Sequence, residues 1–215
     1  MTNMSLLHQM QQGSLVYVKD KMILGISGTQ GTGKTTILQG ASALVAVDKS
    51  QLAREAQKAL GWDRLSLAEE SEHNMWALQS AILTAMRERD ERIRATGTLH
   101  IVERTPADMW AYTLLWCQRL KIDAGDHLGV SAYRKECESL IAGYSAIVMV
   151  PQVTAVPFVA DPHRADLASR DFVEDRVRSF LEDSGVPFYV MQETSRDGRI
   201  VEIEAIINHH NSTYN

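Results

Sequence analysis

The chain contains the stretch Met22-Ile23-Leu24-Gly25-Ile26-Ser27-Gly28-Thr29-Gln30-Gly31-Thr32-Gly33-Lys34-Thr35-Thr36, in which a short apolar run is followed by a glycine-rich segment. The apolar run predicts a buried parallel strand. The segment after it reads Gly28, four residues, Gly33, Lys34 and Thr35, which matches the phosphate-loop pattern at every position. The sequence therefore predicts a strand, a phosphate-binding loop and a helix in direct succession, rather than a glycine-rich turn that merely precedes a helix.

The residue types in this loop suit the binding of a phosphate chain. Glycine permits backbone dihedrals that are closed to other residues and brings N–H groups close to phosphate oxygens, while the following helix adds the positive end of its dipole. Lys34 is expected to bridge the β and γ phosphates, and the Thr35 hydroxyl to bind Mg²⁺. We therefore predict that ATP with Mg²⁺ is bound by Gly28, Thr29, Gln30, Gly31, Thr32, Gly33, Lys34, Thr35 and Thr36.

Length and composition favour one domain over residues 1–215, because 215 residues with 45% hydrophobic content can bury a substantial core. The net charge of −5 offers no global attraction to nucleic acid or to an anionic membrane. No stretch approaches the ~20 apolar residues needed to cross a bilayer, and the first residues do not form the apolar run of a signal peptide. Cys117 and Cys137 have no metal-ligand spacing, so buried thiols in a reducing cytoplasm are expected.

Short apolar runs alternate with helical patterns along the rest of the chain. Strands are predicted at 43–47, 99–102, 146–150 and 188–191, with an edge strand or hairpin arm at 15–18, and helices at 34–43, 50–60, 66–96, 107–120, 131–142, 171–184 and 202–210. The mixed-charge run at 87–92 predicts a solvent-exposed face. The alternation implies right-handed crossovers, and hence an α/β fold: a three-layer α/β/α nucleotide-binding domain with a mainly parallel five-stranded sheet. Together with the phosphate loop, this arrangement resembles the P-loop NTPase fold.

Two carboxylates follow predicted strands, where ligands bind in open α/β sheets. Asp48 and Glu103 are therefore expected to converge with Gly28. Transfer of a phosphoryl group to a hydroxyl needs a carboxylate that orients the hydroxyl or accepts its proton. Glu103 is a candidate for this role or for holding Mg²⁺, the alternative being a capping carboxylate paired with Arg104. Asp48 is a candidate for holding an acceptor hydroxyl or the base, the alternative being an N-cap for the helix at Ser50.

Arginines in two segments are candidates for contacting the nucleotide phosphates. Arg164 and Arg170 lie in the aperiodic region 152–171, which is a candidate lid, and either is placed to close over the transferring phosphoryl group. Arg196 and Arg199 follow the fifth strand, so they are weaker candidates for contacting the adenine or its phosphates. The alternative for each is an ordinary surface arginine.

Aromatic and sulphur-containing side chains are candidates for a slot that holds a planar base. The sequence offers Met75, Trp76, Trp110 and Tyr112 for stacking, with packing between helices as the alternative. Trp116 is expected to pack in the core.

The chain resembles the P-loop nucleoside and nucleotide kinases in the phosphate loop, in a second motif, Glu103-Arg104-Thr105-Pro106 followed by Asp108 and Tyr112, and in the arginine-bearing lid region. The second motif looks like the Glu-Arg-Ser or Asp-Arg motif of deoxynucleoside kinases, thymidylate kinases and the nicotinamide riboside kinase type. The resemblance implies that Glu103 meets the acceptor hydroxyl or the metal and that Arg104 binds acceptor or phosphate. Thr105 stands where Ser is common, and the lid region lacks the arginine-dense run of many monophosphate kinases.

The resemblance implies an ATP- and Mg²⁺-dependent phosphotransferase that acts on a hydroxyl or phosphate of a nucleoside or nucleotide. The compact form is also similar to bacteriophage-type kinases, some of which phosphorylate a hydroxymethyl pyrimidine within DNA, so DNA is an alternative acceptor. A P-loop ATPase that couples hydrolysis to conformational change is the alternative of another class. A regulatory GTPase is disfavoured, because the chain has no Asn-Lys-x-Asp motif. The sequence leaves the oligomeric state open, a homodimer included.

Overall fold

The structure of the protein, a computed structural model, describes residues 23–42, 45–48, 50–152 and 167–212. The strands are β1 (Ile23–Ser27), β2 (Ala46–Asp48), β3 (His100–Glu103), β4 (Ala146–Met149) and β5 (Phe188–Val190). The helices are α1 (Lys34–Ala41), α2 (Leu52–Ala59), α3 (Glu72–Thr96), α4 (Pro106–Leu120), α5 (Leu128–Ile141), α6 (Leu167–Ser184) and α7 (Arg196–Ser212), with a short 3-10 helix at Leu65–Glu69.

The strands form one parallel sheet in the order β2-β3-β1-β4-β5. The strand that carries the phosphate loop, β1, therefore lies between β3 and β4. Ile26 of β1 is in register with Glu103 of β3, and Val102 of β3 with Asp48 of β2. This register brings the carboxyl ends of β1, β2 and β3 to one edge of the sheet, as expected for a ligand-binding edge.

Helices cover both faces of the sheet, because alternate strand residues point to opposite sides. On one face Ile23, Val102 and Ile147 pack with apolar residues of α2, α3, α4, α5 and α6. On the other face Leu24 and Ile101 pack with apolar residues of α1 and α7. The predicted three-layer α/β/α arrangement with a parallel five-stranded sheet is confirmed.

Several element boundaries differ from the sequence prediction for identifiable reasons. The predicted helix at 66–96 is divided, because Ser71 adopts an extended conformation and its hydroxyl accepts the Asn74 N–H at 3.1 Å as the N-cap of α3. Helix α5 begins at Leu128 rather than 131, since the His127 side chain accepts the N–H groups of Gly129 and Val130. The run at 15–18 lies outside the described residues.

The mixed-charge run at 87–92 is only partly exposed, so the prediction of a solvent-exposed face is wrong at two of its positions. Arg87 is exposed, as are residues 88, 91 and 92, but the side chains of Arg89 and Asp90 are 1% and 0% exposed and form an ion pair at 2.9 Å. The thiols of Cys117 and Cys137 are buried and form no disulfide. Across the part of the chain that is described, no helix combines the length and apolarity needed to span a membrane.

Candidate active site

The loop between β1 and α1 has the backbone conformation that its glycines were expected to allow. Gly28, Gly31 and Gly33 have φ angles of 131°, 74° and 89°. A Cβ atom at Gly28 would also collide with the carbonyl oxygen of Val150 at the end of β4. Gly28 is thus required both by its dihedral angle and by its close contact with the neighbouring strand.

The ammonium group of Lys34 lies inside the loop and is almost completely buried. It donates to the carbonyl oxygen of Gly28 at 2.8 Å, to the carbonyl oxygen of Thr29, and to the Thr32 hydroxyl at 3.4 Å. Burial lowers the pKa of Lys34 to about 7, and the positive charge of Arg104 acts in the same direction. An anion placed beside this group would stabilise its charged form.

Thr35 and Glu103 meet at the point where the loop joins the edge of the sheet. The Thr35 hydroxyl donates to Oε2 of Glu103 at 3.0 Å. A hydroxyl and a carboxylate are the hard oxygen ligands that Mg²⁺ binds together with phosphate oxygens and water. This donor set fits Mg²⁺, and these are the two residues predicted to hold it.

Arg104 is paired with Asp108 rather than with Glu103, so the alternative of a Glu103–Arg104 capping pair is not what the structure shows. Arg104 Nη1 donates to Asp108 Oδ1 at 3.0 Å and to the Gly28 carbonyl oxygen at 3.1 Å. Asp108 is fully buried and also accepts from Ser27 Oγ at 2.8 Å, from the Gly28 N–H at 3.1 Å and from the Thr105 N–H at 2.9 Å. One carboxylate thereby ties the start of the phosphate loop to the capping box of α4.

Asp108→Asn is expected to lower the free energy of unfolding by about 3 kcal/mol, because it removes the charge that balances Arg104 and replaces acceptor capacity with an amide donor. Urea denaturation followed by circular dichroism measures this difference. The exposed Asp126→Asn serves as the matched control and should leave stability within about 0.5 kcal/mol of wild type. A loss below about 1 kcal/mol in Asp108→Asn would show that the network is not a principal support of the loop.

Two guanidinium groups, one from α6 and one from α7, lie against the phosphate loop. Arg170 of α6 is buried, and a Cβ atom at Gly31 would lie 3.8 Å from its Nη2. Arg199 of α7 is also buried, with Nη1 donating to the Thr32 carbonyl oxygen and Nε to the Glu193 carbonyl oxygen at 3.0 Å. Nη2 of Arg199 is buried and has no hydrogen-bond partner among the described residues. Arg199 therefore contacts the loop directly.

The other two candidate arginines are placed differently. Arg196 begins α7 and is exposed, so its assignment as a nucleotide contact stays a prediction. Arg164 and most of the candidate lid at 152–171 lie outside the described residues.

Asp48 ends β2 at the same sheet edge, and other groups already hold its carboxylate. It accepts the Ser50 N–H at 2.9 Å and pairs with Arg92 at 3.2 Å. Burial raises the pKa of Asp48, but the hydrogen bonds from Ser50 and Arg92 outweigh it and keep the pKa below its usual value. The N-cap of α2 is Gln51, so the alternative of Asp48 as the N-cap is not what the structure shows.

A cavity of about 1290 Å³ opens beside the loop and connects these groups. Its polar rim includes Gln30, Thr35, Asp48, Glu103 and Arg104. Part of its apolar wall comes from α3 and α4, and these residues are Leu78, Ile82, Met109, Tyr112, Leu115 and Trp116. The candidate catalytic groups thus lie at one end of a space that has an aromatic and aliphatic wall.

The aromatic candidates divide between the cavity and the core. Tyr112 lines the cavity, and so does Trp116, for which core packing was the expectation. Trp110 is buried against Phe180, with ring centroids 6.4 Å apart. Trp76 packs on His127 at 5.9 Å, which places it in a separate contact between α3 and α5.

Gln79 of α3 also lines the cavity and is not among the predicted site residues. It is 1% exposed, and its Oε1 accepts the Tyr133 hydroxyl at 2.6 Å. Its Nε2 is buried without a hydrogen-bond partner among the described residues. The sequence signal is an amide within the apolar stripe of α3, between Met75 and Ile82 at helical spacing. A buried amide donor with no partner is uncommon and marks a place where a ligand acceptor fits.

A protein-family model described as an AAA domain, AAA_28, matches residues 24–199. The chain belongs to the AAA_28 family. The matched region runs from β1 into α7 and so includes the phosphate loop, Glu103 and Arg199. No curated protein sequence matches this AAA_28 chain.

Solved structures with a similar fold include nucleoside and nucleotide kinases and NadR. NadR in complex with NR has a TM-score of 0.62 at 16% identity, covering 87% of this chain and 52% of NadR. NadR in complex with NAD and AMP-PNP has a TM-score of 0.58 at 13% identity, covering 87% of this chain and 49% of NadR. The AAA_28 chain therefore spans about half the length of NadR.

Thymidylate kinase from Candida albicans has a TM-score of 0.62 at 11% identity, covering 90% of this chain and 93% of that kinase. Deoxyadenosine kinase from M. mycoides with bound dCTP has a TM-score of 0.62 at 14% identity, covering 87% of this chain and 100% of that kinase. The AAA_28 chain thus has the P-loop kinase fold, and its resemblance to this group is confirmed.

Proposed function

We propose that this protein is a kinase that transfers the γ-phosphoryl group of ATP to a hydroxyl group of a nucleoside-sized acceptor bound in the cavity. The observation that carries the proposal is the 3.0 Å contact between Thr35 and Glu103 at the cavity rim. It joins the phosphate loop, a carboxylate and a space for a second substrate at one point. Hydrolysis alone needs no such space for an organic acceptor.

The loop supports the proposal through the groups that it directs at a phosphate chain. Backbone N–H groups at the start of α1 have no partner within the helix and suit phosphate oxygens. Lys34 would exchange its carbonyl partners at Gly28 and Thr29 for phosphate oxygens, which restores its full charge. Arg170 lies near Gly31 and Arg199 donates to the Thr32 carbonyl oxygen, so their guanidinium groups would suit the same anion.

Thr35 and Glu103 are the residues that would hold Mg²⁺. When bound, Mg²⁺ supplies positive charge that neutralises the phosphate oxygens during transfer. Glu103 also faces the cavity, so its carboxylate is placed to orient the acceptor hydroxyl and take its proton. Asp48 is held by Ser50 and Arg92 at the same rim and would act on the acceptor as a hydrogen-bond acceptor.

The cavity wall supports an acceptor with a planar, polar ring. Tyr112 and Trp116 offer aromatic surface for stacking. The Nε2 donor of Gln79 would satisfy a carbonyl or ring nitrogen, because the Tyr133 hydroxyl fixes the other end of the amide. The volume of about 1290 Å³ exceeds the ~300–1,000 Å³ of typical ligand pockets, which leaves room for the acceptor and the end of the triphosphate together.

The test is transfer of radiolabel from γ-labelled ATP, with Mg²⁺, to a panel of nucleosides, nucleoside monophosphates and DNA that contains hydroxymethyl pyrimidines. We expect label on a free nucleoside. Label on monophosphates alone would assign a phosphate as the acceptor group. Label on DNA, with binding that weakens steeply as salt rises, would favour the DNA-modifying alternative.

The ATPase alternative makes a different prediction in the same assay. A P-loop ATPase that couples hydrolysis to conformational change releases inorganic phosphate at a rate that no panel member accelerates. That result, with no labelled acceptor, would overturn the kinase proposal.

A further inference from the structure

Glu103, the last residue of β3, and Arg104, the first residue of the turn that follows it, both belong to the proposed site. Arg104 has a φ angle of 68°, in the left-handed region that non-glycine residues disfavour. Its N–H still bonds to the Ile26 carbonyl oxygen at 3.1 Å, and the chain then leaves the sheet towards Thr105, the N-cap of α4. A strained residue at a functional turn needs surrounding contacts that hold it in place.

The guanidinium group of Arg89, on α3, provides such contacts. Nη1 donates to the Glu103 carbonyl oxygen at 3.0 Å and to the Arg104 carbonyl oxygen at 3.3 Å. Nη2 donates to the Tyr144 hydroxyl at 2.7 Å, and Nε to Asp90 Oδ1 at 2.9 Å. Arg89 is 1% exposed, so water does not replace these bonds.

We infer that Arg89 is a positioning residue: it fixes the peptide that joins Glu103 to Arg104 and thereby aims both side chains at the phosphate loop. The side chains on either side of that peptide contact the loop: Glu103 Oε2 accepts the Thr35 hydroxyl at 3.0 Å, and Arg104 Nη1 donates to the Gly28 carbonyl oxygen at 3.1 Å. The inference rests on the proposed function, because it gives Arg89 a part in the same reaction through Glu103.

The chemistry of the contacts explains why arginine is needed. Two backbone carbonyl groups, a phenol and a carboxylate surround the side chain, and a planar fork with five donors matches them at once. Lysine would keep the positive charge beside Asp90, but a single ammonium group does not hold both carbonyl groups in one plane. Arg89→Lys therefore separates the positioning role from the charge.

In Arg89→Lys we expect kcat to fall about 10- to 100-fold, since displacing a reacting group by about 1 Å costs up to about 100-fold. The KM for ATP should stay within about twofold, because no Arg89 contact reaches the phosphate loop itself. The matched control is Arg87→Lys, an exposed arginine of the same helix, which should leave kcat unchanged.

A double-mutant cycle with Glu103→Gln tests whether Arg89 acts through Glu103. In the Glu103→Gln background, Arg89→Lys should lower kcat by a clearly smaller factor than in the wild-type background, because only the effect through Arg104 remains. If Arg89→Lys caused a general loss of structure, the two losses would multiply in full. Arg89→Met/Asp90→Leu is the second variant, because it removes both buried charges and leaves neither unpaired. Where neither variant folds by circular dichroism, Tyr144→Phe removes one hydroxyl partner of Arg89 and should still lower kcat severalfold.

A kcat within twofold of wild type in a folded Arg89 variant, or an unchanged kcat in Tyr144→Phe, overturns the inference. It is also overturned if the losses of kcat in Arg89→Lys and Glu103→Gln multiply in full in the double variant. Failure of the proposed function is distinguishable, because the wild-type protein itself would then label no acceptor.

Discussion

Lys34→Met is expected to lower kcat/KM for ATP by about 10³-fold or more, which corresponds to about 4 kcal/mol of lost transition-state binding. The ammonium group is the buried cation at the centre of the phosphate loop, and methionine fills nearly the same space without a charge. Initial rates of label transfer at several ATP concentrations measure the effect. Lys58→Met, at an exposed position of α2, is the matched control and should retain wild-type rates.

The pH dependence of ATP binding gives a second readout of Lys34. In the free protein its pKa is about 7, and neighbouring phosphates favour the charged form. Binding above that pH must therefore take up a proton, so affinity should fall as pH rises through about 7 and beyond. Calorimetry in buffers of different ionisation enthalpy measures the uptake. Wild-type affinity that is flat with pH, or a slope retained in Lys34→Met, would exclude this role.

The phosphate loop and the sheet could be predicted because their signals are local. An apolar strand, three glycines and Lys34-Thr35 specify the loop whatever the rest of the chain does, and alternating strands and helices specify parallel crossovers. Glu103 was expected at the same sheet edge as the loop because it follows a predicted parallel strand, and in the structure β3 pairs with β1. The first residues of helices were less predictable, because they depend on side chains that accept the first backbone N–H groups, as His127 does for α5.

The buried polar residues could not be predicted from their local pattern. Arg89 and Asp90 stand in a run of alternating charges that looks like any solvated helix face. Their burial depends on Tyr144 and on the carbonyl oxygen of Glu103, which are distant in sequence and become neighbours only in the folded chain. Gln79 differs, since an amide within an apolar stripe was visible in the sequence.

The contrast between Arg196 and Arg199 has a similar origin. The sequence places both after the fifth strand, and they differ only in the phase of the helix that carries them. Helix α7 begins at Arg196 rather than near residue 202, and its first turn directs Arg199 to the Thr32 carbonyl oxygen while Arg196 stays exposed. An error of a few residues in the predicted start of a helix is therefore enough to confuse a residue that contacts the loop with one that is exposed.

Glu103→Gln is expected to lower kcat by about 10²- to 10⁴-fold, the range that a positioned general base contributes. The substitution keeps the size of the side chain and an oxygen that accepts the Thr35 hydroxyl, but it removes the charge that takes the acceptor proton. Affinity for ATP with Mg²⁺ should stay within about threefold, because the loop and Lys34 are untouched and the amide keeps an oxygen that can still bind the metal. Single-turnover label transfer and nucleotide titration measure the two quantities separately.

The two roles assigned to Glu103 separate in this variant, because a base acts on the acceptor and a metal ligand acts on the nucleotide. A large loss of ATP affinity that depends on Mg²⁺ would assign the carboxylate to the metal, and Asp48 would then be the carboxylate left to orient the hydroxyl. An unchanged kcat would remove Glu103 from both roles. Glu88→Gln, at an exposed position of α3, is the control, since it deletes one carboxylate from the same chain without approaching the cavity. Only a loss confined to Glu103→Gln identifies the group that faces the transferring phosphoryl.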